Sequence, residues 1–238
     1  MIKKEHILIL ILLIVILAFS IAIVNVNHKE AKSNINTTDN EVLANNSKGS
    51  VSVIRHIGNP DGKRIAYVVG LHPLENQTHR TLVNLLPTLT DLNCCYDIYI
   101  VNVTSDIGYY GDGSSDDSPG RQNGQNLAYE YVYPQIVDGN YELAVDVHSN
   151  VGAYPYQTFV FSPVKEGLGV DYAHEVSDEA VNISYYAPDS TTSGPYLTIP
   201  LNENGVPAFY YEEYSFAPQD VKDSHMLELI YAVDGLEF

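Results

Sequence analysis

The sequence contains no tryptophan and only two cysteines. It is also short of positive charge, with twelve Lys plus Arg against thirty Asp plus Glu over 238 residues, a formal charge of −18. Two cysteines exclude a disulfide scaffold and any Cys-rich zinc module. A field this negative repels phosphate backbones, which excludes nucleic acid as a partner. No GxGxxG, Walker loop or GxSxG occurs, so nucleotide binding and serine hydrolysis have no support. What is present is an apolar fraction of 45% with 18% charged residues. That is enough for a packed core and too apolar for a disordered chain. After some fifty non-globular residues, one domain's worth of chain remains.

Ile7 to Val24 is an eighteen-residue apolar run broken only by Ser20. As a helix it covers about 27 Å, close to the hydrocarbon thickness of a bilayer. Lys3 and Lys4 precede it, which orients the first residues to the cytoplasm and the rest outside. Residues 1–28 are therefore expected to be a membrane anchor, with a cleaved signal segment as the alternative. Both export the domain. Residues 29–50 have the Asn-, Ser- and Thr-rich composition of a flexible linker, and 51–238 form the globular domain. Sequons at Asn36, Asn45, Asn76, Asn102 and Asn182 suit an outside location without proving it. Adjacent Cys94 and Cys95 are expected as small semi-buried residues rather than a strained vicinal disulfide.

The domain alternates strand and helix patterns. Apolar, β-branched runs at Arg64–Gly70, Asp97–Val103, Glu142–Val147, Gln157–Phe161 and Pro207–Tyr211 predict strands. A leucine stripe at 82, 85, 86 and 89 predicts an amphipathic helix that Pro87 bends or ends. Further helices are expected over 125–136, 170–183 and 224–233, with long loops at 104–120 and 186–206. This order predicts an α/β domain with a mostly parallel mixed sheet and helices on both faces. Ligands of such sheets bind at the carboxyl ends of the strands.

At those ends stand His72 and Glu75, then His148, then the neighbouring acids Glu212 and Glu213. Zinc is satisfied by two imidazoles and a carboxylate with one position kept open. His72 and Glu75, three apart across a strand-to-helix turn, can converge on one ion that His148 completes. A carboxylate from the last strand can take the proton of an attacking water. Consecutive strand residues face opposite ways, so only one of the two acids can face the ion.

His72-Pro73-Leu74-Glu75, Asp146-Val147-His148-Ser149 and Pro207-Ala208-Phe209-Tyr210-Tyr211-Glu212, in that order, resemble the three-part signature of the zinc carboxypeptidase superfamily. The short interval from Glu75 to His148 is similar to that of the compact succinylglutamate desuccinylase/aspartoacylase branch. The resemblance implies one zinc ion on His72, Glu75 and His148, with Glu212 as general base, the residue five beyond the proline. It also implies that Arg121 binds the substrate carboxylate or polarises its carbonyl, although the family's Asn-Arg dipeptide is absent. A lid tyrosine is expected among Tyr185, Tyr186 and Tyr196. Asp146, two before His148, can orient that imidazole. His79, His174 and His225 are expected to be solvated helix residues. Asp112, Asp116 and Asp117 lack the order of a calcium loop.

The resulting expectation is a membrane-anchored extracellular zinc hydrolase that removes a carboxyl-terminal amino acid from short or cell-envelope peptides. The alternatives are an N-acyl amino-acid amidohydrolase of the same fold, taking an acylated amino acid as substrate, and a surface binding domain without catalysis.

Overall fold

The computed structural model describes residues 40–107 and 119–238. The described residues form an eight-stranded mixed sheet. Its strands are β1 (Asn40–Asn45), β2 (Gly49–Gly58), β3 (Arg64–Val69), β4 (Cys95–Val103), β5 (Leu143–Asn150), β6 (Phe159–Phe161), β7 (Ser184–Tyr185) and β8 (Ala208–Tyr214). Their spatial order is β1-β2-β4-β3-β5-β8-β6-β7. The centre, β4-β3-β5-β8, is parallel throughout; β2 and β6 join its two edges antiparallel, with β1 antiparallel to β2 and β7 parallel to β6.

Central strands buried on both faces must be apolar at nearly every position, and β3 shows why. Ile65, Tyr67 and Val69 enter one core, whereas Ala66 and Val68 enter the other. The first core is roofed by α1 (Asn76–Leu85), α4 (Leu168–Glu179) and α6 (Gln219–Asp234). The second lies under α2 (Pro119–Leu127), a π-helical stretch Ala128–Val132, α3 (Tyr133–Val137) and α5 (Thr198–Glu203). The expected helices on both faces are present. Leu82 and Leu86 from the leucine stripe are fully enclosed, and Pro87 lies in the 3₁₀ turn that follows α1.

Several boundaries differ from expectation. The linker composition extended to residue 50, yet Asn40–Asn45 and the start of β2 already pair as antiparallel strands. Polar, exposed edge strands carry the same Asn/Ser composition as a linker. The 186–206 segment contains a 3₁₀ turn and α5 rather than only loop. The helix expected from 125 begins at Pro119, so Arg121 sits on a helix. Cys94 and Cys95 are buried free thiols. The expected anchor and the acidic stretch holding Asp112, Asp116 and Asp117 lie outside the described residues. Among the described residues no helix is long and apolar enough to cross a membrane.

At the amino-terminal edge of the parallel strands, Asp97 is almost fully buried. It accepts from Arg64 Nη2 at 2.6 Å, from the His56 backbone N–H at 2.9 Å and from the Tyr141 hydroxyl, with Arg55 Nη1 at 3.4 Å. Removing the charge leaves two guanidiniums facing an enclosed space. Asp97→Asn is expected to destabilise the domain by about 3 kcal/mol in urea unfolding, the range for breaking a buried pair. An unchanged midpoint would show the cluster to be solvated.

Candidate active site

The site is built where three parallel strands end. Gly70 stops β3 with φ at 95°, and a Cβ there would lie 1.9 Å from the Val101 carbonyl oxygen. Only glycine permits that close crossing. The chain then turns through Leu71 and His72 into a 3₁₀ turn, Pro73–Glu75, which delivers Glu75 to the sheet edge. On β5, Leu143, Val145 and Val147 face the first core, so Asp146 and His148 face the opposite side. On β8, Phe209 and Tyr211 face the first core, which turns Glu212 to the same side as His148. Register pairs His148 directly with Glu212.

His72, Glu75 and His148 are all buried, and one ligand atom from each lies within 4.8 Å of the others. His72 Nδ1 is 2.8 Å from Glu75 Oε1, and His148 Nδ1 is 3.0 Å from Glu75 Oε2. The two Nδ1 atoms are 2.9 Å apart. Two ring nitrogens so close need something positive between them. Burial, the largest influence, together with His148 and Arg121, pushes His72 down to about 3 against the pull of Glu75. Burial opposes charge on His148 too, but Asp146 and Glu75 hold it well above its ordinary value. Burial likewise disfavours ionised Glu75, yet His72 and His148 hold it well below the carboxylate range. The metal-free cluster thus keeps one proton among an acid and two imidazoles. A divalent ion takes the place of such a proton, and two imidazoles with a carboxylate suit zinc.

The surroundings fit that ion. His148 Nε2 lies 2.9 Å from Asp146 Oδ1, the carboxylate sitting off the N–H direction, so the contact is electrostatic rather than a linear hydrogen bond. Glu75 Oε2 also accepts the Ser149 backbone N–H at 2.9 Å. His79, expected in solvent, is buried with Nε2 3.1 Å from the Val147 carbonyl and 3.9 Å from Glu75 Oε2. Four residues beyond Glu75 on α1, it falls on the same helix face, a signal the spacing contained.

The two neighbouring acids separate cleanly. Glu213 is saturated by Thr158 Oγ1, the Tyr211 hydroxyl, the Tyr214 backbone N–H and His225 Nδ1. His225 is therefore a packing partner and not the solvated residue expected. Glu212 faces the cluster, and its enclosed Oε2 has no hydrogen-bond partner among the described residues. Burial foremost, with Glu75 and Asp146 adding and His148 and Arg121 opposing, pushes its carboxyl up to about 8. A carboxylate of raised pKa with an open oxygen is suited to accept a proton near neutrality. Arg121 reaches the cluster from α2, with Nη1 3.6 Å from Glu75 Oε1 and Nη2 3.1 Å from Thr192 Oγ1. Of the three tyrosines expected to supply a lid, Tyr185 stacks on His174 and Tyr186 packs on Phe159.

No family profile and no curated protein matches the sequence. Solved structures do. Tripeptide-bound cell shape determinant Csd4 of Helicobacter pylori aligns at 13% identity over 77% of this chain and 54% of its own, with a TM-score of 0.55. A metallo-carboxypeptidase of Burkholderia cenocepacia aligns at 12% identity over 86% and 66%, TM-score 0.51. A candidate metallopeptidase of Shewanella amazonensis aligns at 11% over 90% and 89%, TM-score 0.50. The chain therefore spans about half the length of Csd4, and these likenesses establish the fold.

Proposed function

We propose, with the fold of the zinc carboxypeptidase superfamily as the premise, that this protein is a zinc-dependent hydrolase acting on the carboxyl-terminal amide bond of short peptides. The observation that carries the reading is the unpartnered Oε2 of Glu212, set across a strand pair from His148 in the His72–Glu75–His148 cluster. A binding module has no use for a carboxyl group with an enclosed, unpartnered oxygen, which is costly unless it works.

His72, Glu75 and His148 would hold the ion, which lowers the pKa of water and polarises a carbonyl when bound. Glu212 takes the proton from the attacking water on Oε2 and passes it to the leaving amine nitrogen. Arg121, beside Glu75 at the rim, presents its guanidinium to the substrate carbonyl or carboxylate. Asp146 steadies His148 through the transfer. Csd4 has been captured with a tripeptide, and a peptide of that size is the substrate class we assign here. The apolar run Ile7–Val24 behind Lys3 and Lys4 supports an anchored domain outside the membrane, where envelope peptides are the available short peptides.

Full-length protein loaded with zinc should release a free carboxyl-terminal amino acid from tripeptides, detected by mass spectrometry. Release from N-acyl amino acids alone would favour the amidohydrolase. Stoichiometric zinc with neither product would reject the catalytic reading.

A further inference from the structure

The catalytic reading uses one nitrogen of His72 and leaves the other unexplained. His72 Nε2 lies 3.3 Å from Gln125 Nε2, and Gln125 is 4% exposed. Gln125 reaches this place because Gly124 lets α2 press against the end of the β3 segment. A Cβ at position 124 would stand 2.0 Å from the Leu71 carbonyl oxygen, the residue before His72.

We propose that Gln125 is a positioning residue whose side-chain amide holds Nε2 of His72, with and without metal, and so keeps Nδ1 turned toward Glu75 and the metal position. The inference rests on the zinc reading of the cluster. A neutral imidazole carries one N–H and one lone pair. His72 Nδ1 lies 2.8 Å from Glu75 Oε1 and 2.9 Å from His148 Nδ1, which leaves Nε2 as the nitrogen that meets the Gln125 amide. A metal on Nδ1 would take the lone pair there, which leaves the N–H of the neutral ring on Nε2. A half-turn of the Gln125 amide then replaces the amine by the carbonyl oxygen at the same place. Histidines that ligate metals give their second N–H to such an acceptor, which fixes both tautomer and ring orientation.

The residue type follows from charge. Glu75, Asp146 and Glu212 already put three carboxyl groups around the cluster, with Arg121 the cation beside them. A fourth carboxylate would raise that imbalance, and it could only accept. An amide serves both states and adds no charge.

The test uses full-length protein, with zinc affinity measured by chelator competition and the His72 tautomer by ¹⁵N–¹H NMR. Gln125→Met should weaken zinc about 10- to 100-fold while the metal-free melting temperature stays within a few degrees. Gln125→Glu, which keeps an acceptor, should bind zinc at least as tightly as wild type. In zinc-loaded wild type, His72 should carry its proton on Nε2. Unchanged zinc affinity in Gln125→Met, or a His72 proton on Nδ1 with zinc bound, overturns the inference while leaving the hydrolase reading intact. A wild-type chain that takes up no zinc overturns both.

Discussion

Glu212→Gln should lose about 10²–10⁴-fold in turnover yet bind zinc stoichiometrically, because proton transfer by a positioned group supplies that factor and Gln cannot accept the proton. The residue is isosteric, lies across from His148 and contributes no ligand atom to the cluster. Ligand geometry is therefore preserved. Glu213→Gln is the contrasting variant. It breaks contacts to Thr158, Tyr211 and His225, so it should lower stability before it lowers turnover. Equal loss in both variants, with zinc retained, would return the choice between the two acids to open.

The same substitution has a pH signature. In the metal-free protein the Glu212 carboxyl is raised from 4.5 to about 8. The folded state then binds the proton more tightly than the unfolded chain, so stability is full below 4.5 and is lost as pH rises through 8. Glu212→Gln removes this loss. Metal-free variant and wild type should unfold alike at pH 4, and above pH 8 the variant should be more stable by on the order of 1–3 kcal/mol. An inactive enzyme more stable than its parent is the expected mark of a site that holds a working acid in an unfavourable place.

His148→Ala should weaken zinc by more than about 10²-fold, beyond the effect of losing an outer partner, and abolish activity. It removes one of three ligands and also leaves Asp146 and Glu75 without the imidazolium that both face at 2.9–3.0 Å. Two buried carboxylates would then lack a counter-charge, so the metal-free variant should also be destabilised, by about 3 kcal/mol. Elemental analysis and urea unfolding read the two effects separately. Normal zinc content would remove His148 from the ligand set.

Much of the framework was legible because burial leaves a mark on residue type. β3 and β4 are largely apolar, and β5 and β8 are apolar until their carboxyl ends apart from Asp146, as strands covered on both faces must be, and their spacing implied helices between them. Edge strands left no such mark. Asn40–Asn45 is exposed on most positions and pairs on one side, so its composition is that of a loop. α5 was hidden by Pro200 and the surrounding Gly and Pro, and its short length gives periodicity little to act on.

His72, Glu75, His148 and Glu212 could be named as candidates from the chain alone, because metal and proton chemistry admits few residue types and strand ends are where such sheets present them. Position along a strand also implied that Glu212 and Glu213 face apart. Which of them faces the cluster depended on the register of β8 against β5, a property of hydrogen bonding between segments more than sixty residues apart. Gln125 lay beyond the reach of sequence for the same reason, and His79, although its four-residue step from Glu75 was visible, could not be told from a surface histidine. An amide and an imidazole on helices look like surface residues until the packing of α1 and α2 encloses them, and only enclosure turns an ordinary polar side chain into a partner of the site.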